Sequence, residues 1–567
     1  MRLAGLEELI ERGEAPKWMT AEGFKTLNGG YLLPDETPRM MYERVSKAAA
    51  SYYKESSKYK KRFFDAMWRN WLCPASPVLS NMGTDRGLPI SCNSIHVGDS
   101  VDSIFGKSRE LAMLSKNGAG VGIYLGDIRG RGASIRGNGK SEGIIPWAKV
   151  YDTTTVSVSQ GSTRRGASAV YLPVEHSDIE EFIEMRRQTG DMNRRCLNLN
   201  HGVCISDKWL NEASAGDIQK QELWSKILKA RAETGEPYLF FTDNVNKANP
   251  ECYKGNGLDV KTSNICTEIF LHTDPDHSFV CCLSSLNLVK WDEWKDSDVV
   301  ETSVRFLDAV IEEYIRKSEK VPGMEASRRS AIKGRAIGIG VLGWHTYLQK
   351  NRIPFDSFDA MMLNAQIFRT MRQNAEKETK VMAIELGEPE WCKGYNRRNT
   401  HLIAIAPTVS NSLISGGHSA GIEPMPAAIW KQESAKGTFI RRNPVFEALL
   451  EEKGKNTPEI WKSILENGSS ISHLKFLTDH EKLVFMSAME INQYAIIKQA
   501  GQRQKWIDQG QSINLFFPAN ADPKYIHGVH LEAWKEGIKS LYYFRTEGVI
   551  KGDLASRSKD ECAACEG

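Results

Sequence analysis

Short apolar runs alternate with long amphipathic stretches through much of this chain, and that alternation restricts it to a mixed α/β architecture. The runs Ile265–Leu271, Val280–Leu288, Leu402–Ala406, Ser512–Phe517 and Ser540–Phe544 have the length of strands. Between them, Phe306, Leu307, Val310, Ile311, Tyr314 and Ile315 recur at helical spacing. Leu483–Ala500 has the same period, with Gly501 as its expected C-cap, and Phe358–Leu386 is closed by Gly387. Strands interleaved with helices predict an α/β barrel over 91–544. A mainly helical domain is expected before it, over 1–90, where Met40–Tyr53 is rich in good helix formers. Residues 545–567 are polar and aperiodic, which predicts a mobile tail.

Composition removes several classes of function. Lys and Arg total 74 against 71 Asp and Glu, so the net charge of +3 makes no case for a nucleic-acid partner. The longest uncharged stretch, Leu402–Ile422, contains Pro407, Gly416, Gly417 and several serines and does not read as a membrane span. The N-terminal MRLAGLEELIERGEAP has acids where an export signal needs an apolar run, so a cytoplasmic protein is expected, in the host cytoplasm if viral. Eleven cysteines in 567 residues are too few for a disulfide scaffold.

Three cysteine contexts depart from the ordinary buried thiol. Cys562-Ala-Ala-Cys565 sits at the end of the polar tail without further zinc ligands nearby, which suits thiol–disulfide exchange better than metal binding. In Asn264-Ile265-Cys266-Thr267-Glu268, an extended backbone would put an amide, a thiol and a carboxylate on one face; a polar strand with a chance cysteine explains the spacing equally well. Cys92, in ISCNSIHVGDS, and Cys281, in VCCLSSLNL, are not linked by anything local. Cys266, His272, His277 and Cys281 have loosely zinc-like spacing, but HTDPDH reads as a turn, so no metal site is expected.

Other motifs are weaker. Gly338–Gly343 matches GxGxxG without the preceding apolar strand of a dinucleotide fold, and close packing explains it better. The basic loop Ser159–Gly166, with Arg186, Arg187, Arg194 and Arg195 after it, suits phosphate or simply solvent. APTVSNS, ahead of Gly416 and Gly417, offers amides and hydroxyls for a phosphate or makes a turn. Tyr542 and Tyr543, adjacent in KSLYYFRT, would face opposite sides of an ordinary strand.

Together these residues resemble the large catalytic subunit of class I ribonucleotide reductase, from about Gly23 to the C-terminus. The resemblance rests on GGYLLPDET, ASPVLSN, SCNSIHVGDSVDSI, NGAGVGIYLGDIRGRGASIRG, SQGSTRRGA, SNICTEI, CCLSSLNL, GIGIGVLGWH, APTVSNS, AGIEP, LYY and the terminal CxxC, in that order. It implies a ten-stranded α/β barrel that reduces ribonucleoside diphosphates to deoxyribonucleotides, the precursors of DNA, by a thiyl-radical route. Cys266 matches the radical cysteine, Glu268 the base at the 3′-hydroxyl and Asn264 the amide that holds the sugar. Cys92 and Cys281 match the redox pair. Tyr542 and Tyr543 match the radical relay from a separate small (beta) subunit, and Cys562 and Cys565 the tail dithiol served by a thioredoxin- or glutaredoxin-like reductant. Ser76, Ser91, Gly120, Pro407, Thr408, Val409, Ser410 and Asn411 fall where the family binds the substrate, its diphosphate mainly through backbone amides. Asp99, Ser100, Ile104, Arg129, Ile135 and Arg136 fall at the nucleoside-triphosphate specificity site. Gln160 and Arg164 lie in the loop leading from it to the substrate, where Ser162 and Arg165 replace frequent glycines. No covalently bound cofactor and no metal are implied, and a homodimer is.

The resemblance also implies differences. About twenty residues precede the matching region, so the ATP-cone domain is expected to be absent, and with it dATP shut-off through residues 1–40. The alternatives are an adenosylcobalamin-dependent class II reductase, which needs neither the tyrosine relay nor a small subunit, and a catalytically silent regulatory subunit.

Overall fold

The computed structural model describes residues 5–158, 166–434 and 437–546. Five strands run parallel: Cys92–His96, Gly120–Tyr124, Ala167–Pro173, Leu199–Ile205 and Tyr238–Phe241. Both faces of such strands are covered, as in the fully buried YLFF of the fifth. Phe279–Asn287 pairs antiparallel with the first of them and parallel with Ile337–Leu342. The circuit continues through parallel bridges Ile339–Ile403 and Ile405–Gln511. It then passes from Ile513 to Tyr542 by a backbone hydrogen bond of 2.8 Å, and Ser540–Leu541 pairs antiparallel with Tyr238–Phe241. Five parallel members therefore meet five others across two antiparallel seams, and the sheet closes into a ten-membered barrel.

Helices sheath this barrel. Val299–Ser318, carrying the Phe306–Ile315 stripe, is almost wholly buried between the sheet and the helix Phe358–Leu386. The latter ends at Gly387 with φ +84°, as its sequence implies. The segment Leu483–Ala500 differs from expectation. Two helices, Asp479–Val484 and Gln493–Gln504, are separated by a break, and Gly501 lies inside the second. Its hydrogen faces Glu536, where a Cβ would come within 2.8 Å, so this glycine serves packing rather than helix termination. Ahead of the barrel come the helices Ala21–Asn28, Pro38–Ala50 and Ser56–Trp68, with Pro38 at the first turn under a Thr37 cap.

The GxGxxG glycines act in packing too: Gly338 and Gly340 lie on the strand Ile337–Leu342, pressed against Ala404. Of the short runs, Leu402–Ala406 contributes bridges rather than a ladder. Ser512–Phe517 is a strand only over Leu515–Phe517, and Ile265–Leu271 is not a strand.

Candidate active site

The segment from Thr262 to Leu271 is buried throughout, yet it belongs to no sheet. It enters the barrel as a loop that turns at Thr267, whose φ is +63°. The reason Asn264, Cys266 and Glu268 come together is therefore not strand alternation. Asn264 Oδ1 accepts from the backbone N–H of Glu268 and Ile269, both at 3.1 Å, and closes the turn on itself.

Because no ladder satisfies this backbone, the barrel wall does so group by group. The Tyr171 hydroxyl donates to Asn264 O at 2.5 Å, Ser512 to Cys266 O at 2.5 Å, and Ser540 to Thr267 O at 2.7 Å. Gly510 N–H donates to Glu268 O at 2.8 Å, and Phe270 N–H donates to Gln509 Oε1 at 3.2 Å. Two glycines make room: a Cβ on Gly122 would lie 1.9 Å from Ser263 O, and one on Gly510 would lie 2.0 Å from the Phe270 ring.

The Cys266 residue is 3% exposed and Glu268 1%. Burial pushes the Glu268 carboxyl up to about 7, against the stabilising pull of the nearby Asn264 amide and of the Ser512 hydroxyl 3.2 Å away. A carboxyl poised there exchanges protons readily near neutral pH.

Cys92 and Cys281 meet across the antiparallel seam as directly opposed partners. Opposed residues have Cα atoms about 4.5–5.5 Å apart, within the span of a disulfide. Both are buried, and burial holds the Cys281 thiol well above its ordinary range. Gln509 Nε2 lies 3.3 Å from Cys281 Sγ. Cys282 points the other way, donating to Leu307 O on the outer helix.

Near this pair, Gly120 is the strand partner of Cys92 and donates to Ser91 O at 2.8 Å. Ser76 opens the short helix Ser76–Asn81, next to the strand Leu72–Pro74 that pairs with 284–286. Pro407–Asn411 continues from the bridge at Ile405, with Thr408 in the left-handed region at φ +53°. Ser76 Oγ and Asn411 Oδ1 are buried without hydrogen-bond partners. Such groups cost about 1–3 kcal/mol each, so they mark places where a polar ligand is expected to dock.

The tyrosines lie between Ser540–Leu541 and Phe544–Thr546, off the ladder, which lets both rings turn to the same side. Their centroids are 4.3 Å apart, and Tyr238 packs on both at 4.8 and 5.1 Å. Leu515 N–H donates to Tyr543 O. The segment 509–515 thus touches the Cys266 loop, Cys281 and both tyrosines. Gln509, Ser512, Asn514, Tyr171 and Tyr238 were not singled out from the sequence; the polar residues punctuating DQGQSINLFF were the available signal.

Asp99, Ser100, Ile104, Arg129, Ile135 and Arg136 gather elsewhere, beyond the far end of the Cys92–His96 strand. Arg129 is ion-paired with Asp99 at 2.8 Å, Ser100 caps the helix Val101–Lys116, and Ile135 and Arg136 lie in the exposed turn bridged by Ser134 and Lys140. Gln160, Arg164, Cys562 and Cys565 lie outside the described residues. Arg186, Arg187, Arg194 and Arg195 each bond to protein groups. The zinc spacing also resolves differently: among the described residues the possible metal-ligand cluster is His272, Asp274 and His277, without either cysteine, and Asp274 holds the two rings by hydrogen bonds.

A ten-membered α/β barrel with an opposed thiol pair and a cysteine loop through its middle defines a class of nucleotide-reducing enzymes, and comparison with known proteins agrees. Residues 17–87 match the family model for the ribonucleotide reductase all-alpha domain, and 90–218, 210–397 and 390–544 match that for its barrel domain. The chain belongs to the ribonucleotide reductase large-subunit family. It is 39% identical over 525 residues to the putative ribonucleoside-diphosphate reductase large subunit of Frog virus 3 (isolate Goorha), covering 89% of this chain and 92% of the relative. It is 33% identical over 628 residues to the large subunit from Invertebrate iridescent virus 3, covering 96% and 98%. Among solved structures, the Actinobacillus ureae class Id ribonucleotide reductase alpha subunit superposes with a TM-score of 0.87 at 42% identity, covering 94% of this chain and 99% of that one. These matches favour the class I reading over the cobalamin-dependent one. Among the described residues no helix is long and apolar enough to cross a membrane.

Proposed function

We propose that this class I large subunit reduces ribonucleoside diphosphates with Cys266 as its radical thiol and Cys92 and Cys281 as its reducing pair. The observation that carries the assignment is the direct opposition of Cys92 and Cys281 beside the loop that holds Cys266 and Glu268. A thiyl at Cys266 takes the hydrogen from C3′, and Glu268 takes the 3′-hydroxyl proton. The 2′-hydroxyl then leaves as water. One hydrogen of the paired thiols leaves with the 2′-hydroxyl as water and the other goes to C2′, and the two sulfurs end as one disulfide. Glu268 then gives back its proton and Cys266 gives its hydrogen back to C3′, which restores the thiyl, so atoms and electrons balance. Shielding inside the barrel keeps the radical from solvent and stray thiols.

The radical is delivered by a separate beta subunit through Tyr543 and Tyr542; their rings, 4.3 Å apart between centroids and tilted by 49°, support this path. Cys562 and Cys565 re-reduce the disulfide and are themselves reduced by a thioredoxin- or glutaredoxin-like protein. Substrate diphosphate docks at Ser76, Ser91, Gly120 and Pro407–Asn411, and the Asp99–Arg136 cluster takes a nucleoside triphosphate effector, whose identity Gln160 and Arg164 help to relay. A homodimer is supported by Val101, Phe105 and Val156, large apolar residues left exposed on two helices that pack together.

The test is CDP reduction by the full chain with a radical-generating small subunit. Cys266→Ser is expected to abolish product while nucleotide binding persists. Turnover with adenosylcobalamin alone, or product from the serine variant, overturns the reading.

A further inference from the structure

The motif Ala420-Gly421-Ile422-Glu423-Pro424 takes no part in the chemistry above, yet it connects two parts of it. At one end, Gly421 N–H donates to Thr408 Oγ1 at 2.7 Å. Gly421 fits there with φ +48°, and a Cβ on it would come within 2.9 Å of Ala406 O, so the motif presses directly on the 407–411 segment. A tight turn follows, closed by Glu423 N–H donating to Ala420 O at 3.0 Å. At the other end, Glu423 Oε1 accepts from Asn514 Nδ2 at 2.5 Å. The same amide, through Oδ1, accepts from the backbone N–H of Tyr543 at 3.0 Å. Thr408 is thus joined to Tyr543 by three short hydrogen bonds and one turn.

The motif has little freedom to absorb movement. Ser419 O accepts from Gly343 N–H, and Ser419 N–H donates to Thr346 Oγ1, both at 2.8 Å, which anchors its N-terminal side to the barrel. Asn514 is 8% exposed. Arg545 stacks over the Tyr543 ring at 4.3 Å and adds a cation on the same side. Burial raises the Glu423 carboxyl to about 7, against the pull of Arg545 and the Asn514 amide.

We propose that Glu423 and Asn514 are positioning residues that tie the 407–411 segment to Tyr543, so that a nucleoside diphosphate seated on that segment sets the placement of the tyrosine pair. The inference rests on the reading of 407–411 as a substrate segment and of Tyr542 and Tyr543 as a relay. A displacement of about 1 Å in a reacting pair can cost roughly a hundredfold in rate, so a short bonded path is sufficient to gate oxidation of the tyrosine.

The experiment uses the full chain with its small subunit and 3-aminotyrosine in place of Tyr543, a more easily oxidised ring that traps the radical. The radical is counted by electron paramagnetic resonance with and without CDP. In the parent protein CDP is expected to raise the yield. In Glu423→Ala and in Asn514→Leu, which keeps the volume without the bonds, the CDP response is expected to shrink by about tenfold while CDP binding stays intact. Glu423→Gln, whose carbonyl still accepts from Asn514, is expected to restore it; a purely structural role would not separate alanine from glutamine in this readout. If the parent yields a radical that responds to CDP and both variants respond equally, the tie is refuted and the relay stands. A parent radical indifferent to CDP also refutes the tie. Absence of any radical at position 543 overturns the relay reading and the tie with it.

Discussion

The molecule holds its two kinds of cysteine in opposite ways. Cys92 and Cys281 sit on neighbouring strands, where the ladder register alone brings them face to face. Cys266 sits on a loop with no ladder, fastened by Tyr171, Ser512, Ser540 and Gly510. Two thiols that must close into a disulfide need a fixed mutual distance, which pleated geometry supplies without further help. A single thiol that reacts with a ligand needs a place at the centre of the barrel, and only a loop threaded through the barrel reaches it. The strand pair is therefore robust to its surroundings and the loop depends on them.

The largest expected effect contrasts adjacent residues. Cys281→Ala should abolish turnover, whereas Cys282→Ala, whose thiol faces Leu307 outside the barrel, should keep it within about threefold, measured as CDP reduction with excess reductant. Equal losses in the two variants would break the strand half of the comparison. Next comes the clearance that admits the loop. Gly122→Ala should cost about 1–3 kcal/mol of stability or more, together with most activity, because Ser263 O occupies the position of the new methyl; thermal unfolding and turnover read both. Ser512→Ala removes the hydroxyl from Cys266 O and Glu268 and should lower kcat by about tenfold to a hundredfold with KM little changed. A kcat within twofold of the parent would show that the loop does not rely on its wall.

The pH profile tests the same loop more gently. If Glu268 is the proposed base it works only when ionised, so kcat should rise with pH through about 7 and fall about tenfold per unit below it, and Glu268→Gln should remove both the activity and that limb. The raised carboxyl favours the folded state at low pH, a contribution lost as the pH climbs through about 7. Smallest of all, Tyr238→Phe keeps the ring against Tyr542 and Tyr543 and should change turnover less than about threefold.

Much of this was legible from local pattern. The helix closed by Gly387 follows from periodicity and a single glycine, and the run Val280–Leu288 became the strand Phe279–Asn287, whereas the five parallel strands were not picked out from the sequence. Gly501 was misread because a glycine ending a periodic stretch looks the same whether it caps a helix or yields to Glu536, a residue thirty-five positions away. The SNICTEI segment has the composition of a strand but lies as a loop, since burial on all sides at the barrel centre leaves no neighbour to pair with. Its three chemical residues were recognisable from the motif; the wall that positions them was not.

From the sequence alone came the alternation of elements, the chemical identity of the cysteines and the order of motifs, because these depend on neighbours a few residues apart. Only the closed barrel decided that Cys92 faces Cys281, that Gly122 and Gly510 clear a path for the loop, and that 509–515 serves thiols and tyrosines together. Those relations join residues hundreds of positions apart, and they exist only once strand register and the two antiparallel seams have set distances that no local pattern encodes.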